Sequence, residues 1–343
     1  MAAANRNPQT VLVTGASGYV GSWAAVELLR RGYRVRGTIR DLRREPEVRA
    51  MIAGAVDPGD RLVFLAADLL KDEGWDAAAA GADYVLHVAS PMPIGEFRGQ
   101  DVITPAREGT RRVLQASQKA GVRRVVMTSS TAAAMPARRS GAVADETVWT
   151  DLPPRAIYNY PRAKTLAERD AWDVVRRSGG PMELATVLPS QIQGPVLGPD
   201  YSASVEIVAM MLKGRLPAVP RVGYSIVDVR DLIELHIKAM IEPVAAGQRF
   251  VAAGDFLWFS DIARILREAL GERAAKAPRR VLPDFAVRIG ALFNPEAAQL
   301  APSLGVRSEA SSAKADRMLG WRPRPAANSI VDAANSLIER GLV

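Results

Sequence analysis

The chain has 343 residues, 48% of them hydrophobic and 24% charged, the profile of a folded globular protein and not of a disordered, fibrous or membrane-embedded one. It contains no cysteine, which removes disulfides, thiolate nucleophiles and cysteine-ligated zinc or iron–sulfur sites together and fits a reducing compartment. Its net charge of +8 is carried by scattered arginines in short pairs, such as Arg30 with Arg31 and Arg138 with Arg139; no basic run is interleaved with aromatics, so no nucleic-acid partner is expected.

His87 and His236 are the only histidines, too few for a histidine-based metal centre or a Ser-His-Asp triad, and no metal is expected. Residues 1–10 are short and polar ahead of the first apolar segment, which leaves no room for a signal peptide. No stretch reaches the roughly 18 apolar residues that would cross a bilayer. The expectation is a cytoplasmic protein with no membrane partner.

Residues 10–14 form a short apolar, β-branched run that predicts a buried strand. From Gly18 the pattern turns helical and stops at Gly32. Further strands are expected at 34–39, 61–66, 84–89 and 124–128, with helices at 75–80 and 105–120, then a long helix at 157–177 closed by Gly179, Gly180 and Pro181, and a strand at 182–188. This alternation predicts right-handed βαβ crossovers and an α/β, Rossmann-type doubly wound parallel sheet. After Pro189 the alternation is lost among Gly-Pro clusters, which marks a smaller C-terminal substrate-binding lobe. The expected division is a dinucleotide-binding domain over 1–190, with 225–242 returning to it, and a lobe with C-terminal helices over 191–343.

The glycines of Thr14-Gly15-Ala16-Ser17-Gly18-Tyr19-Val20-Gly21 stand where the first strand hands over to the first helix. There Gly15 permits a tight turn, Gly18 admits a pyrophosphate close to the backbone and Gly21 allows close helix packing, while free N–H groups at the helix start meet the phosphate charge. The cradle so predicted runs over Gly15, Ser17, Gly18, Tyr19, Val20 and Gly21. After the second strand an acid would select NAD and an arginine NADP. Arg40 follows that strand, with Arg36, Arg43 and Arg44 close in sequence, which favours NADP(H); Asp41 is the rival.

Tyr160 and Lys164 stand four apart at the start of the long helix and so share a face. An ammonium beside a phenol favours the phenolate and is expected to lower its pKa, making Tyr160 a usable proton donor to a carbonyl. Ser129 and Ser130 end a parallel strand, where open α/β sheets bind ligands, and one of them can hold the carbonyl oxygen; adjacent strand residues face opposite ways, and periodicity alone does not choose between them. His87 and His236 read as satisfied core histidines, the tryptophans as packing anchors, and Asp228 and Asp231 as cap and surface residues.

The glycine turn, Asp68-Leu69, His87-Val88-Ala89-Ser90-Pro91, Thr128-Ser129-Ser130 and the run from Tyr160 to Glu168 resemble the extended short-chain dehydrogenase/reductases. Within that group they are similar to the branch of dihydroflavonol 4-reductases, cinnamoyl-CoA reductases and microbial aldehyde and ketone reductases. The resemblance implies that Ser130 is the catalytic serine, that Lys164 also holds the nicotinamide ribose, that Asp68 and Leu69 flank the adenine, that Val88, Ala89 and Ser90 line the cofactor, and that Pro189 and Ile192 lie at its nicotinamide end. The run from Thr131 to Met135 lacks the acid or Tyr-Gly that nucleotide-sugar epimerases and dehydratases carry after the serine, and Met135 replaces an asparagine used by flavonoid reductases. A pocket of Ser130, Met135 and Tyr160 that takes a hydrophobic aldehyde, ketone or β-keto ester is expected. The resulting expectation is an NADPH-dependent carbonyl reductase, monomeric or homodimeric. The competing readings are a nucleotide-sugar epimerase or dehydratase and a non-catalytic NADP-sensing regulator.

Overall fold

In chain order the first half is β1 (Thr10–Thr14), α1 (Tyr19–Arg30), β2 (Arg34–Ile39), α2 (Glu45–Ala53), β3 (Leu62–Ala66), α3 (Trp75–Ala79), β4 (Tyr84–His87), α4 (Ile103–Lys119), β5 (Arg124–Thr128), α5 (Asn159–Ser178) and β6 (Glu183–Pro189). There follow β7 (Gln191–Gln193), α6 (Ala203–Leu212), β8 (Val219–Pro220), β9 (Gly223–Asp228), α7 (Val229–Ile241), β10 (Arg249–Ala252), β11 (Phe256–Trp258), α8 (Phe259–Leu270), β12 (Val281–Leu282), α9 (Asp284–Gly290), α10 (Pro295–Leu300), α11 (Ala313–Leu319) and α12 (Ala326–Glu339). These come from a computed structural model that describes residues 8–90, 101–137, 142–155 and 158–343; Pro91, Arg138, Arg139 and Ile157 lie outside the described residues.

Seven strands form one sheet in the order β10-β6-β5-β4-β1-β2-β3. The pairings of β1 with β2 and β4, of β2 with β3 and of β4 with β5 are all parallel, and the order reverses between β1 and β4, as in a doubly wound fold. The central strands are mostly apolar because both faces are covered: β4 and β5 are buried at every residue, whereas β3, at the edge, has both buried and exposed positions.

The chain divides into two units, one of Met1–Thr128, Leu166–Thr186 and His236–Gln248, the other of Ser129–Thr165, Val187–Leu235 and Arg249–Val343. The segment Ser129–Thr165 is thus grouped away from the first strands, which a boundary drawn at residue 190 does not anticipate. The second unit holds a three-stranded sheet, β9 between antiparallel β11 and parallel β7, which the irregular Gly-Pro pattern concealed.

Two features are built on arginine. In the first unit Arg124, only 5% exposed, donates to the carbonyls of Ala239, Met240 and Glu242 at 2.7–3.1 Å and pairs with Glu183, capping the C-terminal end of α7 where helix carbonyls lack partners. In the second unit Asp228 is buried, not on the surface as its sequence position suggests: Arg230 grips both its oxygens at 2.8 Å and continues to Asp332, while Arg324 clamps Asp231. A buried carboxylate is tolerable only with such partners.

Arg124→Met removes the side-chain donor to the Ala239 and Met240 carbonyls and to that of Glu242, which keeps the Ala245 N–H, and urea unfolding is expected to register a loss of about 2–4 kcal/mol. A loss under about 0.5 kcal/mol would show that water replaces the cap at no cost.

Candidate active site

The dinucleotide cradle is assembled in the first unit by β1, β2 and β4. Gly15 has φ +69°, left-handed backbone that glycine adopts without strain, and an added Cβ would meet Ala89 at 3.1 Å. At Gly21 a Cβ would lie 2.1 Å from the Gly15 carbonyl oxygen, so glycine is obligatory where α1 passes over the turn. At Gly18 the nearest atom would be 3.5 Å away; its missing side chain leaves open surface and relieves no clash.

Hydroxyl groups hold this turn. The Gly15 N–H donates to the Thr38 hydroxyl at 3.0 Å and the Ala16 N–H to the Thr38 carbonyl at 2.9 Å. The register of β1 against β4 sets Thr14 opposite His87. Thr14 Oγ1 accepts the N–H groups of Val88 (3.0 Å) and Ala89 (2.9 Å), which fills its acceptor positions, so its own proton goes to His87 Nδ1 at 2.9 Å. The other ring nitrogen, Nε2, lies 3.5 Å from the Thr110 hydroxyl. His87 is therefore a buried supporting group, as the sequence suggested. Thr14 was missed; its signal was a hydroxyl on the last residue of a strand directly before the glycines.

A cavity of about 280 Å³ opens beside this turn, lined by Ser17, Ile39, Arg40, Asp41 and Arg44. Arg36 does not contribute: it donates to the Ala77 and Ala78 carbonyls at the end of α3. Arg43 turns onto Asp41 and holds its carboxyl down at about 2, well below the usual carboxylate range. Asp68 folds back to accept the Leu70 N–H at 3.0 Å, and Leu69 packs where a Cβ on Gly109 would lie, 2.8 Å away.

The predicted chemical groups are gathered in the second unit. Ser130 is 8% exposed and, in extended backbone, caps the short 3₁₀ turn Thr131–Ala133, its hydroxyl accepting the Ala132 N–H at 3.1 Å. Ser129 is buried too, and its N–H continues the sheet pairing to the Val187 carbonyl at 2.8 Å. The two serines are separated by their partners: the Tyr160 side chain is hydrogen-bonded to Ser130. Lys164 is 7% exposed, one turn further along α5. Burial pushes the Tyr160 phenol above its usual value and the Ser130 hydrogen bond pulls it down by less, so the net direction is upward, opposite to the expected lowering.

Pro189 ends β6, its carbonyl accepting the Thr131 hydroxyl at 3.3 Å, and Ile192 is half-buried in β7. Of the apolar run after Ser130, Ala134 packs with Leu188, Val251 and Ala253 in the core, whereas Met135 is exposed. A second cavity, of about 360 Å³ between Asp145, Glu146, Lys314 and Arg317, contains none of the predicted site residues. Among the described residues no group of three or more His, Asp or Glu is placed to hold a metal, and no helix is long and apolar enough to cross a membrane.

Residues 11–254 match the family described as NAD dependent epimerase/dehydratase. The rice (Oryza sativa subsp. japonica) protein cinnamoyl-CoA reductase 1 is 38% identical over 277 residues, covering 80% of this chain and 79% of that protein. Dihydroflavonol 4-reductase of Zea mays is 33% identical over 278 residues, covering 77% and 75%. Among solved structures, yeast methylglyoxal/isovaleraldehyde reductase Gre2 complexed with NADPH superposes with a TM-score of 0.80 over 98% of this chain and all of that one; at 22% identity the likeness is one of fold.

Thr14→Val removes the acceptor of two backbone N–H groups and the donor to His87. Thermal or urea denaturation is expected to show a loss of about 2–3 kcal/mol, largely restored in Thr14→Ser, which keeps the hydroxyl. Equal stability of the Val and Ser variants would mean that the hydroxyl carries no load.

Proposed function

Because the chain belongs to the NAD dependent epimerase/dehydratase family, the extended short-chain dehydrogenase/reductases, we propose that it is an NADPH-dependent reductase that converts a hydrophobic aldehyde, ketone or β-keto ester to the alcohol. The observation that carries this reading is the hydrogen bond between Ser130 and Tyr160, with Lys164 buried one helical turn away. Support for the cofactor is the fit of the cradle: a close approach at Gly15 and Gly21 that any Cβ would fill, free surface at Gly18, and a cavity carrying Arg40 and Arg44 beside Ser17.

Gly15, Ser17, Gly18, Tyr19, Val20 and Gly21 would hold the pyrophosphate, Arg40 and Arg44 the ribose phosphate, and Val88, Ala89 and Ser90 the adjoining stretch. Asp68 and Leu69 would flank the adenine, and Pro189 and Ile192 the nicotinamide. Bound there, the group supplies a hydride to the carbonyl carbon. Tyr160 supplies the proton to the carbonyl oxygen, and Ser130 shares that oxygen and orients it. A phenol raised by burial stays protonated through the neutral range, ready as an acid. Lys164 favours the phenolate as it forms, which lowers the cost of the charge that appears only when the proton leaves, and it would also hold the nicotinamide ribose. Met135, exposed and apolar, would face the hydrophobic part of the substrate, for which hydroxyl-rich molecules have no partner there.

Loss of NADPH and NADH absorbance with a panel of aromatic aldehydes, ketones and β-keto esters tests the reading. Turnover with NADPH should fall by about 10²–10⁴-fold in Tyr160→Phe while NADPH binding persists. Tight NADPH binding with no carbonyl reduced would sink the reductase assignment and favour a nucleotide sugar or a sensing role.

The raised phenol also fixes a sign. Reduction, which needs the acid form, should be flat from neutral pH upward and decline only beyond the ordinary phenol value of 10.0, while oxidation of the alcohol should climb with pH. A decline in reduction already between about pH 7 and 9 would show the opposite shift.

A further inference from the structure

Asp41 stands two residues past the end of β2, after Arg40, and lines the same cavity as Arg40 and Arg44. A carboxylate at the end of this strand is the group that takes both ribose hydroxyls of an unphosphorylated dinucleotide, and a one-residue shift in the turn would bring Asp41 to that place. In this chain three N–H groups of one residue already converge on it, the Nε–H shared between its two oxygens. Oδ1 accepts the Arg43 backbone N–H and Arg43 Nε, each at 3.0 Å, and Oδ2 accepts Nε at 2.9 Å and Nη2 at 2.6 Å. A carboxylate offers about four acceptor positions. The contact also closes a turn, since Asp41 caps the 3₁₀ segment Leu42–Arg44 and Pro46 follows within the first turn of α2, so the carboxylate is tied on the backbone side as well. Arg44, by contrast, directs its fork at Glu47, at 2.9 and 3.1 Å.

We infer that Arg43 is a positioning residue for cofactor choice: by occupying Asp41 it withholds the acid that would favour NADH and leaves Arg40 to set the charge of the cavity. Arg43 needs no contact with the cofactor for this, because it acts through Asp41. The inference rests on the dinucleotide reading above. The ion pair is largely exposed, with Arg43 90% and Asp41 39% accessible, so the bias it exerts is moderate and not absolute.

Equilibrium fluorescence titration with NADPH, NADH and adenosine 2′,5′-bisphosphate, on wild type and on Arg43→Ala, Arg43→Lys and the double variant Arg43→Ala with Asp41→Asn, tests it without reference to turnover. Arg43→Ala is expected to gain roughly tenfold in NADH affinity, Arg43→Lys to gain less because an ammonium cannot fork across both oxygens, and the double variant to lose the gain. Weaker binding of NADPH and the bisphosphate in Arg43→Ala with NADH unchanged would make Arg43 a direct phosphate ligand and overturn the inference. An unaltered NADPH-to-NADH preference in Arg43→Ala would overturn it as well, leaving the functional reading intact. Wild type that binds neither dinucleotide would overturn both together.

Discussion

The glycine turn that follows the first strand depends on one hydroxyl. Thr14 ends the first strand, and its oxygen takes the N–H groups that follow β4 while its proton goes to His87. Without it, the partly buried N–H groups of Val88 and Ala89 would lose this acceptor, and unpaired polar groups away from water are costly. Because Thr38 fixes Gly15 and Ala16 from the other neighbouring strand, the glycine turn is held from both sides. Gly37 belongs to the same arrangement: a Cβ there would come within 2.8 Å of Ala16, so β2 and the turn approach only because that side chain is missing.

Around this rigid turn the charges are sorted locally. Five arginines stand between positions 34 and 44, and their sequence proximity conceals different fates. Arg36 ends a helix, Arg43 neutralises Asp41, Arg44 pairs with Glu47, and Arg40 joins the cavity lining. Net charge over the segment is thus a poor guide to what a ligand would meet. The geometry of each guanidinium fork, and which carboxylate it finds within reach, decides the field of the cavity.

Helix α5 shows the same interplay of local pattern and surroundings. Four-residue spacing puts Tyr160 and Lys164 on one face of α5, and Glu168, one turn on, is completely buried and accepts the Thr186 hydroxyl at 2.8 Å, anchoring the helix to β6. The phenol is buried enough that desolvation outweighs its hydrogen bond to Ser130. A raised phenol stays protonated through the neutral range, and the shift runs upward although the sequence argument from Lys164 alone pointed downward.

What the sequence determined by itself was whatever repeats at short range. The apolar runs of β1, β4 and β5, the glycine spacing and the Tyr-Lys helix each follow from neighbours within a few residues, and their elements fall within three residues of the expected bounds. The three-stranded sheet of β7, β9 and β11 was illegible because its strands are only three to six residues long and are stabilised by pairing across long chain separations, not by local periodicity. The hydrogen bond between Tyr160 and Ser130, the burial of Asp228 and the capture of Asp41 by Arg43 were likewise decided by tertiary structure. Each turns on which donor or acceptor lies within about 3 Å, and hydrogen bonding at that range is set by how separate segments converge and not by the order of letters along the chain.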